Sequence, residues 1–146
     1  MSATAVARKL GGRKVLHRDV RTELELAAMV REGLPSASLD LVLEEVSSWA
    51  GAALVYDIVG RRRTLERKTG GKDALLKPSE SDRLARLVRL IVRTEEVFGD
   101  PAKAHRWLLV GNRALGDQVP FQLLDSDAGA LAVERILGRI EHGVYS

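Results

Sequence analysis

The chain contains no cysteine and only six aromatic residues among 146. Without cysteine there is no disulfide framework, no thiolate metal site and no thiol nucleophile, a usage that suits a reducing compartment. With so few aromatics, the core must be built from Leu, Val, Ile and Ala. Long apolar runs are also missing. The stretch from Ala50 to Val59 is broken by Gly51 and Asp57 and falls far short of the ~20 residues needed to span a bilayer. The N-terminal segment MSATAVARKLGGRKVLHRDV carries cations but neither the continuous apolar stretch nor the small-residue cleavage site of a secretory signal, so the expected residence is cytoplasmic, with no membrane partner. This segment is rich in small residues and cations, and residues 1–20 are expected to form a flexible basic tail.

Signatures of catalysis and of metal binding are absent too. The three histidines, His17, His105 and His142, share no local motif and no ligand pair one helical turn apart, so no metal and no catalytic residue is expected. Gly11-Gly12-Arg13-Lys14 and Gly70-Gly71-Lys72 have neither the spacing of a phosphate-binding loop nor a strand before them, and read as flexible connections. Glu95, Glu96, Asp100 and Asp127 are explained by helix caps and solvated faces rather than by a carboxylate pair. The chain is expected to be no enzyme and to hold no cofactor.

What is present is helical periodicity. Thr22 followed by Glu25 is a capping box ahead of Leu26, Met29 and Val30, and Gly33-Leu34-Pro35 stops that helix. A second helix is expected from Ser38, with Leu39, Val42, Leu43 and Val46 on one stripe and an acidic opposite face. A third, buried helix is expected over Trp49 to Val59, closed by Gly60. Residues 69–79 have the composition of a connection. Ser79 then caps a helix carrying Leu84, Leu87, Val88, Ile91 and Val92, with Arg83, Arg86, Arg89 and Arg93 mostly on the wet side. Gly99-Asp100-Pro101 reads as stop, cap and first turn of the next helix, Pro120 opens a short one, and Ser126 caps the last, with Val133, Ile136, Leu137 and Ile140 on its stripe. No strand alternation is convincing, so the fold class is all-α.

The formal charge of +3 is unevenly spread: residues 1–79 carry 14 Lys and Arg against 10 Asp and Glu, whereas residues 80–146 carry 9 against 10. That asymmetry suits one half meeting a polyanion and the other meeting protein. The cations concentrate in Arg61, Arg62, Arg63, Arg67 and Lys68, with Thr64 among them, just after a buried helix and a glycine turn. This is the layout of a helix-turn-helix, in which arginines pair with guanine or phosphate and Thr64 caps the helix or touches a phosphate. The alternative is a solvated basic turn. Trp49 and Trp107 stand on apolar faces and are expected in the core. Tyr145, one residue from the end, either docks on its own chain or anchors a partner.

The second half carries an ordered series of short motifs: EVFGD at 96–100, AHRWL at 104–108, NRALG at 112–116, PFQLL at 120–124 and LGRIEHGVYS at 137–146. Together they resemble the Xre-type antitoxins of RES-Xre toxin-antitoxin modules, the MbcA/ParS/Xre family, from about residue 20 to the end. The resemblance implies an Xre-like helix-turn-helix domain over 21–77 that binds operator DNA and represses the module's own promoter. It implies a second domain over 78–146 that forms a homodimer and binds a RES-domain toxin, an enzyme that degrades NAD. Family antitoxins block the toxin's pocket with their C-terminus, which assigns toxin binding here to Gly143, Val144, Tyr145 and Ser146. The NAD belongs to that partner. Two positions depart from the family pattern: Gly111 stands where a proline usually precedes the Asn, and Gly60 is displaced by one relative to the basic segment. Two other functions stay open, a plain transcription regulator whose second domain only dimerises, and a toxin-binding module that no longer reads DNA.

Overall fold

The computed structural model describes residues 3–68 and 74–143. It is all-α: the described residues form helices and short 3₁₀ turns, with isolated bridges and no strand. The chain divides into a unit spanning Met1–Val88 and a second spanning Arg89–Ser146. The division falls inside a long helix, beyond the connection at 69–79 where the composition changes.

The first unit opens with α1 (Ala3–Lys9) and α2 (Gly12–Leu16), where the sequence leads one to expect a flexible tail. Val6 and Leu10 are fully buried, and Ala3, Ala7, Leu16 and Val20 are nearly so. The physical reason is that the small residues here are mostly alanines, the best helix formers, and they bring Val6 and Leu10 onto one face one turn apart. Burial of that face then offsets the entropy of ordering a short segment. α1 contacts α3 (Glu23–Glu32) and α4 (Ser36–Ser47), and α2 contacts α4.

α3 starts as its sequence dictates, with Thr22 and Glu25 exchanging the two hydrogen bonds of the capping box, and Gly33 closes the helix at a φ of 101° that favours glycine. α4 begins two residues before the expected Ser38, which leaves Ser38 inside the helix, its hydroxyl donating to the Leu10 carbonyl at 2.7 Å. A buried hydroxyl needs such a partner, and this one ties α4 to the N-terminal pair. α5 (Ala52–Val59) is shorter than the expected Trp49 to Val59, because Gly51 takes the N-cap position in extended backbone. After the turn Gly60-Arg61 comes the five-residue α6 (Arg62–Glu66), held by fully buried Leu65.

Residues 74–76 are not a free connection. The Ser36 and Leu76 amides donate to the Ala74 and Leu34 carbonyls at 2.9 and 2.8 Å, and the buried Ser81 hydroxyl accepts from the Leu34 amide. α7 (Pro78–Phe98) therefore begins with Lys77 at the cap position and Pro78 at its first, not with Ser79 as cap. Glu80, at the third position, accepts from the Lys77 amide and from Lys68 Nζ, both at 2.8 Å.

The second unit is ordered by local punctuation. Asp100 caps α8 (Pro101–Leu109) by accepting from the Ala102 amide, and Asn112 caps the 3₁₀ turn Arg113–Leu115. That loop closes tightly around Gly111, where a Cβ would stand 2.7 Å from the Asp117 carbonyl oxygen, and the Asn112 amide donates to the Gln118 carbonyl at 3.0 Å and the Asp117 amide to the Asn112 carbonyl at 2.9 Å. A 3₁₀ helix over Pro120–Asp125 leads to Ser126, which caps α9 (Asp127–Glu141) through the Gly129 amide. The 3₁₀ helix contacts both α8 and α9. Fully buried Phe121, Leu108, Leu124, Val133 and Leu137 fill this unit. Trp107 is half-buried against Phe98, their ring centres 5.7 Å apart.

Candidate functional site

Each unit carries one set of candidate residues. In the first, Leu65 plugs α6 into the core and leaves the charged residues around it outside. Arg61, Arg63 and Arg67 are exposed and make no ion pair among the described residues. Arg63 and Arg67 are one turn apart and share a face. Arg62 is used differently: its Nε donates to Glu66 Oε1 at 2.8 Å, and its guanidinium lies 5.1 Å from the centre of the Tyr56 ring. The Tyr56 phenol is pushed up by burial and by the carboxylates of Glu66 and Asp40, against the pull of Arg62. Two acids thus stand beside the basic segment. Thr64 lies within α6, and the cap position belongs to Arg61, so Thr64 is not the cap that the sequence suggests.

Lys68 is committed to the fold. Its ammonium meets Glu80, whose side chain is 7% exposed. Burial works against ionisation of Glu80, but the Lys68 ammonium, the Lys77 amide and the charge of Lys77 outweigh it and hold the carboxyl below its ordinary 4.5. A carboxylate whose folded value is depressed stabilises the fold fully above its unfolded value and loses that contribution as the pH falls through the folded value. Glu80→Gln is therefore expected to melt at a lower temperature than the parent at pH 7, with the difference shrinking below about pH 4. Thermal melts monitored by circular dichroism across pH 3–7 check this; a gap independent of pH contradicts it.

In the second unit the candidate residues follow α9. Its end is fixed by a bidentate ion pair, Arg93 Nη1 to Glu141 Oε2 at 2.7 Å and Arg93 Nη2 to Glu141 Oε1 at 2.8 Å. The hydrogen bond and the charge of Arg93 hold the Glu141 carboxyl below its usual range, and the same bond raises Arg93 further. Paired forks of this kind fix orientation as well as position. Gly143 then turns the chain in a left-handed conformation (φ 69°), its amide donating to the Ile140 carbonyl. Val144, Tyr145 and Ser146, the other expected toxin-binding residues, lie outside the described residues.

Helical periodicity puts Arg93 on the wet side of α7, and the structure corrects this: its side chain is 17% exposed and points to Glu141, 48 residues away. No local signal carries such a pairing. The same holds for His105 Nε2, 2.7 Å from Glu95 Oε2, which ties α8 to α7 within this unit. Among the described residues there is no group of metal-ligating side chains, and no helix is long and apolar enough to cross a membrane.

Residues 93–143 match the family model described as the antitoxin Xre/MbcA/ParS C-terminal toxin-binding domain. The match starts at Arg93 and ends at Gly143, so it includes both partners of the ion pair. Among relatives, an antitoxin Xre from Photorhabdus laumondii is 35% identical over 125 residues, covering 83% of this chain and 81% of its own. One from Yersinia enterocolitica is 36% identical over 110 residues, covering 72% and 73%. One from Pseudomonas putida is 36% identical over 72 residues, about half of each chain. With such identity held over more than two thirds of both chains in the first two, this chain belongs to the Xre antitoxin family.

Proposed function

We propose that the chain neutralises a RES-domain toxin that degrades NAD, by placing Gly143, Val144, Tyr145 and Ser146 in the toxin's active-site pocket. The observation that carries this reading is the match of residues 93–143 to the toxin-binding family, in which the end of α9 is held by Arg93 and Glu141 just ahead of the proposed residues. A tail launched from a fixed helix end loses less freedom on binding than one launched from a frayed end. Its chemistry fits a nucleotide pocket. The aromatic ring of Tyr145 takes the place of a base. Inhibition is by occlusion, so the chain itself needs no cofactor and performs no reaction. Titrating the toxin from the same operon with the purified chain tests this: NAD consumption is expected to fall to background at a fixed molar ratio, competitively with NAD. Undiminished consumption at excess chain contradicts it.

The same reading makes the first unit a helix-turn-helix repressor of the module's own operon, with α5 and α6 as the two helices, which places the chain in the cytoplasm with its operator. Arg61, Arg63 and Arg67 are the cations left for DNA, while Lys68 serves the fold and Arg62 is engaged in an exposed pair with Glu66. Replacing Arg63 and Arg67 together with alanine is expected to weaken operator binding and to flatten its dependence on salt by roughly 2 in the log-log slope, about 0.9 for each phosphate no longer neutralised. Fluorescence anisotropy between 50 and 200 mM salt reads both numbers. An unchanged slope contradicts the role of Arg63 and Arg67, and the absence of any salt-dependent operator binding by the parent favours the toxin-binding module that no longer reads DNA. The active species is taken as a homodimer, to which exposed Val110 and Leu131 offer apolar surface.

A further inference from the structure

The N-terminal helices enclose a feature that toxin neutralisation does not use. Between α1, α2 and residues 18–21 lies a hollow of about 170 Å³ rimmed by Arg8, Arg13, Arg18 and Arg21, with Thr4 and a single carboxylate, Asp19. The acid does not saturate the arginines. Asp19 Oδ2 is 3.6 Å from Arg21 Nη2 and 3.8 Å from Arg13 Nη1, beyond a good charge-assisted hydrogen bond. Arg18 gives one donor to Glu32 at 2.7 Å and keeps others, since a guanidinium carries five N–H groups. Arg8 is exposed and makes no ion pair among the described residues.

Four arginines line one hollow against a single carboxylate, and nothing in the packing of α1 or α2 requires them: the buried contacts there are made by Ala3, Val6, Ala7, Leu10 and Leu16. The arrangement lowers its energy when an anion enters. Clustered arginines suit an oxyanion, because a guanidinium fork can donate two parallel hydrogen bonds to it. We propose that this hollow is a phosphate-binding site. The phosphate is that of a DNA backbone or of a free polyphosphate, and the DNA source rests on the repressor reading of the first unit, whereas the site itself does not.

The test uses the full chain and a variant carrying Arg8→Gln, Arg13→Gln and Arg21→Gln. Arg13 and Arg21 have side chains 79% and 77% exposed, and Arg18 is kept because it holds Glu32. Unchanged thermal melts confirm that the variant is folded. Calorimetric titration with inorganic pyrophosphate is expected to show binding that weakens at least tenfold in the variant and is untouched by replacing Arg63 and Arg67. In the second arm, binding of a 20-base-pair duplex is expected to weaken for every sequence alike, with a salt slope shallower by roughly 2 to 3. Loss of pyrophosphate binding with duplex binding unaltered supports the site and assigns it to a free polyphosphate. Pyrophosphate binding by a chain that binds no duplex at all supports the site while the repressor reading fails. Equal pyrophosphate binding by parent and variant, or none by the parent, overturns the proposal.

Discussion

Gly129→Ala is expected to destabilise the second unit by roughly 3 kcal/mol or more, enough to lower its melting temperature by on the order of 10 °C. Helix propensity alone predicts the opposite sign, a gain of about 1 kcal/mol for alanine over glycine. Steric approach decides it. A Cβ on Gly129 would stand 2.0 Å from the Leu123 carbonyl oxygen, 2.9 Å from its carbon and 3.0 Å from the Ser126 hydroxyl. Two of those atoms are backbone and cannot rotate away. For the methyl to fit, the start of α9 must move off the 3₁₀ helix, which breaks the bond from the Gly129 amide to Ser126 and opens the packing around Phe121 and Leu124. Gly138, in the same helix, is the control, because its Cβ meets nothing within 4 Å. Gly138→Ala is expected to stabilise by roughly 0.5–1 kcal/mol. Denaturation of the two single variants side by side reads the difference; equal shifts would show that close approach does not govern Gly129.

Both glycines are visible in the sequence, but only their surroundings in the fold tell them apart. The elements that the sequence does show are those whose signals are local. Thr22 with Glu25, Asp100 with Pro101, and Ser126 each satisfy a helix start within three residues, and each does so in the structure. Where long-range packing decides, the sequence misleads. Ala3 to Leu16 looks like a solvated basic arm because small residues and cations are frequent and no apolar stripe runs long enough to mark a helix. The packing of Val6 and Leu10, and the bond from Ser38 to Leu10, are what order it. A helix is expected from Ser38 and a cap at Ser79, but α4 starts two residues earlier, at Ser36, and the α7 cap falls two residues earlier, at Lys77, because the chain from 74 to 76 pairs with 34–36 and Pro78 favours a first-turn position.

The candidate site divides in the same way. Arg61, Arg63 and Arg67 are exposed as a basic segment suggests, but charge density does not reveal which cations are already engaged. Lys68 goes to a glutamate twelve residues on, and Arg62 to a glutamate one turn away and to an aromatic face. Arg93 and Glu141 lie 48 residues apart, so nothing in the local pattern marks them, although both fall within the match to the toxin-binding family. The motif at 137–146 points to the C-terminus through resemblance, and the structure adds what holds the end of α9 in place.

Ending the chain at Gly143 is expected to abolish neutralisation while leaving the fold intact, the largest functional effect for the smallest change. Val133, Ile136 and Leu137 bury α9, and Arg93 holds its last residue, all upstream of the cut. The loss is therefore not one of stability. Co-expression of the operon's toxin with the full chain, and with the chain ending at Gly143, measures it directly through growth and cellular NAD. Growth and normal NAD are predicted with the full chain, and arrest with NAD depletion with the shortened one, which purifies folded and in the same oligomeric state. Full rescue by the shortened chain would contradict active-site occlusion by Val144, Tyr145 and Ser146.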